Sequence, residues 1–301
     1  MDAQVGFFVE VLVGGLLAGV MYSLVALGFV LIYKASGVFN FAQGTMVFFA
    51  ALTYVSLAER GWNLWLALLV TLVVMVALGV AIERVVLRPL VNQPQITLFM
   101  ATIGLTFVLE GLSQLIWGSQ PHGLELGIAD VPMEWLSQKW NINVSQFDLF
   151  AALVAGALVA ALAVLFQKTR VGRALRAVAD DHQAALAVGI PLQHIWAIVW
   201  AVAGFVALVA GLMWGVRNGV QYALTFVALK ALPVLILGGF ESIAGAIVGG
   251  LIIGATEKVA EVYIGPFVGG GIESWFAYVV ALLFLLFRPE GLFGEKHIDR
   301  V

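Results

Sequence analysis

Asn40 and Gln43, Glu110 and Gln114, and Lys230 are polar side chains set inside otherwise apolar stretches of this 301-residue chain. Each could line a watery path or tie helices together. Asn40 and Gln43 lie beside Gly37 and Gly44, residues that permit a helix to break. Unwound backbone at membrane depth is tolerated where it lines a cavity or is covered by protein. Asn40, Gln43 and Gly44 therefore read as a broken helix along a solute path. The plainer alternative is polar glue between helices, worth about 0.6 kcal/mol per bond. A carboxylate near the middle of a span costs a few kcal/mol, so Glu110 must face protein or water. It is a wall residue of a path or one end of a helix-to-helix hydrogen bond, with Gln114 one turn on. Lys230 precedes Pro233 and the Gly238-Gly239 pair. The proline removes a backbone donor and kinks its helix, which suits a gate; a lysine snorkelling from a span end is the bland reading. Glu257, Lys258 and Glu261 are i, i+3 and i, i+4 neighbours and read as interfacial charges without a special role.

A second cluster is a polar island, Lys168 to Pro191, between two long apolar stretches. Gly172 precedes a helix-forming run from Arg173 to Ala179. Arg176 and Asp180 are four apart and can pair on one face, for about 0.3–0.5 kcal/mol. Asp181 can cap a second short helix, His182 to Val188, by accepting a backbone N–H. Gly189 suits a left-handed cap, and Pro191 after Ile190 prevents continuation. Ala177 and Ala184 are among the alanines that keep this surface smooth enough to be gripped in a cleft. The bland alternative is an ordinary basic loop lying on anionic lipid.

Other chemistries find no footing. Asp180-Asp181 is followed by Ala184 where a prenyl-transfer metal cluster would need a third carboxylate. The chain has no cysteine, and His122, His182, His194 and His297 are scattered. No Gly-x4-Gly-Lys-Ser/Thr phosphate loop is present, so any ATP must be hydrolysed by another chain. The net charge of −3 gives no electrostatic case for nucleic acid. A stand-alone ion-coupled carrier needs buried ion ligands, for which Glu110 alone is thin support.

The elements that must position these residues follow from composition. Hydrophobic residues make up 62% of the chain and charged residues 11%, against about 25% charged in soluble domains. The bilayer must be the solvent for most of the fold. Apolar segments fall near 8–33, 39–58, 63–82, 96–117, 147–166, 194–215, 224–240, 243–264 and 273–287. No repeated alternating strands of a barrel are present, so the spans are helices. The first is long and carries Gly14, Gly15 and Gly19, which invite a tilt or a break; those near 224–240 and 273–287 are short, and tilted, partial or re-entrant. The Met-Asp-Ala-Gln start lacks a basic n-region and reads as leading into a retained span. Gly245-x3-Gly249 and Gly250-x3-Gly254 imply close helix packing. Lys168, Arg170, Arg173 and Arg176, then Arg84 and Arg88, then Arg288, Lys296 and Arg300, mark cytoplasmic connections. The connections Gly118–Gln146, with Trp135 and Trp140 at headgroup level, and Gly265–Gly271 face outside. Nine crossings put the N-terminus outside; with one segment re-entrant, eight put both termini in the cytoplasm. The fold class is an all-α polytopic bundle of about 8–9 transmembrane helices with a cytoplasmic loop of short helices.

Several motifs carry a family resemblance. Gly172-Arg-Ala-Leu-Arg-Ala-Val-Ala-Asp-Asp181, continuing to Gly189-Ile190, resembles the cytoplasmic loop of the permease subunits of branched-chain amino acid ABC importers, the LivH type. Gly37-Val-Phe-Asn-Phe-Ala-Gln-Gly44, Arg84-Val-Val-Leu-Arg-Pro-Leu90, Ala101-Thr-Ile-Gly-Leu105, Lys230 to Gly250 and Arg288-Pro-Glu-Gly-Leu-Phe-Gly294 resemble further signatures of that family, in the same order. Gln43 stands where histidine is common, and Glu241 where glycine is usual before Ser242. Permeases for urea and short amides share most of these motifs. The resemblance implies one permease domain over 1–301, with 168–192 as its coupling loop. It implies a multi-pass protein of the bacterial inner (plasma) membrane, without a cofactor or enzymatic activity of its own, forming half of a path for branched-chain or other hydrophobic amino acids. Implied partners are cytoplasmic ABC ATPase subunits, a second similar or identical permease, an extracytoplasmic solute-binding protein and the surrounding lipid. Gly172, Arg173, Arg176, Ala177, Asp180, Asp181, Ala184, Gly189 and Ile190 would couple to the ATPase. Asn40, Gln43, Gly44, Thr102, Glu110, Gln114 and Lys230 would line the path.

Overall fold

A computed structural model describes residues 3–91, 93–140 and 142–294. Lys296, His297 and Arg300 lie outside the described residues, as do the side chains of Trp140 and His182. The described residues are mostly helical: α1 (Ala3–Ser36), α2 (Gln43–Glu59), α3 (Leu64–Ile82), α4 (Gln95–Trp117), α5 (Glu134–Trp140), α6 (Gln146–Lys168), α7 (Arg170–Asp180), α8 (His182–Ala187), α9 (Leu192–Asn218), α10 (Val227–Gly238), α11 (Ile243–Tyr263), α12 (Gly265–Val268) and α13 (Phe276–Phe287). Among the described residues, six helices are long and apolar enough to cross a membrane, three of them 27 residues or longer; the apolar helices at 222–238 and 276–287 are shorter. The nine apolar segments of the sequence correspond to α1, α2, α3, α4, α6, α9, α10, α11 and α13.

Two compact units divide the chain. One takes Gly28–Leu126 and Ala161–Leu229. Its centre is α9, which packs along α3 and α2. Small residues make these crossings possible: a Cβ on Gly211 would lie 2.6 Å from the Val47 carbonyl oxygen, and one on Gly204 would overlap the Met75 carbonyl. Around them Trp200, Val199, Ala203, Val206 and Ala207 are fully or almost fully buried. The indole N–H of Trp196, in the first turns of α9, donates to the Ala35 carbonyl at 3.0 Å and closes the C-terminal turn of α1. At the far end of α9, Val220 and His122 exchange backbone hydrogen bonds of 3.0 and 2.9 Å. His122 Nδ1 also lies 2.9 Å from a Glu59 carboxylate oxygen. The connections after α2, α4 and α9 thus meet at one end, and α7 and α8 sit by the start of α9.

The other unit takes Met1–Leu27, Gly127–Ala160 and Lys230–Val301. Here α11 is the hub, and its glycines form two working faces. Gly245 and Gly249 meet Gly238 and Val234 of α10, while Gly250 and Gly254 meet Gly19 and Gly15 of α1. α1 runs unbroken for 34 residues, so the break that Gly14, Gly15 and Gly19 invite does not occur; Gly15 and Gly19 instead admit a neighbour. Helical hydrogen bonding survives a glycine where packing against a partner offsets its roughly 1 kcal/mol propensity loss. Near the N-terminal end of α1, the Glu10 carboxylate accepts the Asn143 backbone N–H at 2.8 Å. The tail returns to α10: Leu292 and Phe293 donate N–H groups to the Leu237 and Gly238 carbonyls at 2.8 and 3.1 Å. Gly239 and Gly291, both at positive φ, sit against each other at that junction.

Candidate functional site

The polar island folds as two short helices. Thr169 caps α7 by accepting the Gly172 N–H at 3.2 Å, a cap that starts the helix three residues before the expected Arg173. Leu175 and Val178 are buried at i, i+3 spacing, with Gly172 one turn earlier. Gly172 is needed for the corner itself, since a Cβ there would overlap the Phe166 carbonyl at the end of α6. Asp181 caps α8 as expected, its Oδ1 accepting the Ala184 N–H at 3.0 Å. Gly189 has φ +83, and the Gly189 and Ile190 N–H groups close the end of α8 on the Leu186 and Ala185 carbonyls. Ala184, Leu186, Val188 and Gly189 are exposed, Leu186 by 53% and Val188 by 76%; so are Arg173, Asp180 and Asp181. Ala177 and Ile190 are half-buried.

Arg176 behaves differently from the i, i+4 expectation. No ion pair joins it to Asp180 among the described residues. Its guanidinium turns back to α6, donating through Nη1 to the Phe166 carbonyl and through Nη2 to the Gln167 carbonyl. A cation at a helix C-terminus meets carbonyls that lack intrahelical partners and the negative end of the dipole. Arg176 thereby locks α7 to α6.

Asn40, Gln43, Gly44 and Thr102 come together in one buried cluster. Residues 37–42 leave the helix, as Gly37 and Gly44 suggested, with Gly37 at φ +68. Asn40 Oδ1 accepts the Ala42 N–H at 3.0 Å, and Nδ2 donates to Gln43 Oε1 at 3.1 Å. Gln43 Nε2 donates to the Ala203 carbonyl of α9 at 3.4 Å. Thr102 Oγ1 bonds the Phe39 carbonyl at 3.1 Å and accepts the Phe41 N–H at 3.4 Å. Gly44 lies against the Thr225 backbone. Asn40, Gln43 and Thr102 are wholly buried, and these contacts satisfy an unwound backbone that would otherwise be orphaned. Glu110 and Gln114 stand elsewhere, on a partly exposed face of α4, with Gln114 Nε2 at 3.5 Å from Glu110 Oε1.

Lys230 leads to an ion pair that the spacing of charges hid. Its Nζ is 2.8 Å from Oε1 of Glu257 on α11, and the Tyr22 hydroxyl of α1 donates to the same oxygen at 3.1 Å. Glu257 is 3% exposed. It is a buried ion-pair partner, not one of three peripheral charges. The other two are also engaged: Lys258 pairs with Glu273 at 2.7 Å, and the Glu261 carboxylate accepts the Gly271 and Glu273 N–H groups at 2.9 Å each. A further buried carboxylate, Glu83, is fully enclosed and takes Arg88 in a two-pronged pair at 3.1 and 3.0 Å. The π-helical turn over Glu83–Leu87 brings residues five apart side by side, a juxtaposition that α-helical spacing did not foretell. Among the described residues no group of three or more His, Cys, Asp or Glu could hold a metal.

Apolar spanning-length helices, glycine-mediated crossings and a capped pair of surface helices define a polytopic helical membrane protein. The chain belongs to the family described as branched-chain amino acid transport system / permease component, whose sequence profile matches residues 11–288. It is a permease of the ABC importer type. The high-affinity branched-chain amino acid permease protein LivH of Escherichia coli is 28% identical to it over the full length of both chains. The fructose import permease protein FruF of Bifidobacterium longum is 24% identical, over 89% of this chain and 75% of that one. Among solved structures, PsaBC from Streptococcus pneumoniae in complex with Fab matches 91% of this chain and 89% of that chain, at a TM-score of 0.49 and 13% identity.

Proposed function

We propose that the whole chain acts as one permease domain that forms half of a path for branched-chain or other hydrophobic amino acids. The full-length match to LivH carries the choice of solute. A second permease, similar or identical, supplies the other half. A solute-binding protein delivers the amino acid at the outer face. A separate cytoplasmic ATPase grips α7 and α8, and its closure rocks the helices about the path. The docking part of this reading is supported by the exposed Ala184, Leu186 and Val188 beside Arg173, Asp180 and Asp181. That is a smooth apolar knob ringed by charge, held on capped helices.

The test is uptake of labelled leucine, glutamate, urea and fructose by cells with and without the gene. Leucine uptake is the activity expected to disappear. The likeness to FruF favours a sugar as the second reading; unchanged leucine uptake with lost fructose uptake would establish it. Lost urea uptake alone would move the assignment to the short-amide importers.

A further inference from the structure

We infer that Lys230, Glu257 and Tyr22 form a binding site for the charged head of a zwitterionic amino acid, on the reading that this permease moves amino acids. The observation is an imbalance within one buried cluster. Glu257 Oε1 takes both available donors, Lys230 Nζ at 2.8 Å and the Tyr22 hydroxyl at 3.1 Å. Glu257 Oε2 is buried and has no hydrogen-bond partner. The Lys230 side chain is 32% exposed, and its Nζ also reaches the Tyr22 hydroxyl at 3.4 Å. An ammonium has three donors and a carboxylate several acceptor sites, so the pair offers an unmet acceptor next to a partly open cation.

A buried carboxylate with one orphaned oxygen is costly, because a half-satisfied polar network forfeits the gain of burial. Ionisable groups in spans mark solute paths by default. The ligand that uses both capacities carries a cationic donor for Oε2 and an anion for the remaining N–H of Nζ, the two groups borne on one carbon. An α-amino acid has this arrangement; a sugar or urea carries neither charge. The other candidate path residues contrast with this cluster. Asn40, Gln43 and Thr102 are wholly buried and have their side chains bonded inside the chain. They shape the bend at 37–42, whereas Lys230 and Glu257 keep capacity for a ligand.

The experiment replaces the pair with neutral side chains, Lys230→Met with Glu257→Gln, in the complete transporter. Labelled leucine uptake by the complete transporter, and the leucine-induced rise in melting temperature of the purified permease–ATPase complex without the solute-binding protein, are the readouts. The inference requires uptake to fall at least tenfold and the leucine-induced rise to vanish, with membrane levels kept. Removing the outlying pair, Lys258→Met with Glu273→Gln, should leave both readouts as in the wild type. Should the double neutral variant fail to accumulate, Glu257→Gln alone is measured in the same way, since it preserves volume, removes the charge and replaces one of the two acceptor oxygens by an NH2 donor. Wild-type uptake and an unchanged leucine-induced rise in either variant would show a structural pair and overturn the site. A wild-type transporter that moves fructose and no leucine overturns the substrate reading instead, and is seen before any variant is made.

Discussion

Arg173 and Arg176 stand one turn apart on the same short helix and do different work. Arg173 is exposed, while Arg176 holds the C-terminal carbonyls of α6. Arg173→Glu should abolish co-purification of the ATPase and so stop uptake. Arg176→Ala should leave the ATPase bound yet cut leucine uptake about tenfold, because α7 can then swing without dragging α6. It should also lower the melting temperature, since hydrogen bonds from charged donors are worth about 1.5–3 kcal/mol each. Pull-down, uptake and a melting curve on the two variants check this; identical loss of ATPase from both would refute the division of labour. The sequence could show which residues were basic and which would cap. It could not show the acceptors of Arg176, because these arise from a corner that brings carbonyls ten residues back into reach. The pairing of Glu257 is hidden for a similar reason: its charged neighbours in sequence are four residues away or fewer, and its partner sits 27 residues away on another helix.

At the scale of the element, glycine position decides which helices touch. The small-residue pattern on α11 was legible from its spacing, but its two partners were not. Nothing in Gly245-x3-Gly249 says that it faces α10, nor in Gly250-x3-Gly254 that it faces α1. The same pairing explains why Gly15 and Gly19 leave α1 unbroken. Gly254→Val should lower the stability of the solubilised protein by about 1–3 kcal/mol, the usual cost of overpacking. Gly14→Ala, where an added Cβ meets nothing within 4 Å, should be neutral or slightly stabilising. Thermal unfolding followed by size-exclusion fluorescence separates the two outcomes, and equal melting temperatures would sink the packing account. The final motif gains a reason too. Gly291 seats against Gly239, so signatures about fifty residues apart form one junction at the end of α10.

For the whole molecule, apolar composition made a helical membrane bundle legible, together with all nine apolar segments. Its division into two units was not, because both are equally oily and each is assembled from three or two separate stretches of chain. Sidedness can be tested directly, since the chain has no cysteine to remove. Ala184→Cys on α8 should react with a membrane-impermeant maleimide only from the cytoplasm, and Gln138→Cys on α5 only from outside; the reverse pattern would invert the topology. α1 adds a mechanical corollary. At about 1.5 Å per residue its 34 residues reach roughly 50 Å, some 20 Å beyond the oily interior of a bilayer. Such a rod must lean, or stand proud of the surface, and the lean it adopts depends on how deep the surrounding fat is. Turnover in liposomes should therefore change with acyl-chain length at constant headgroup, and turnover indifferent to chain length would refute the coupling of this lean to transport.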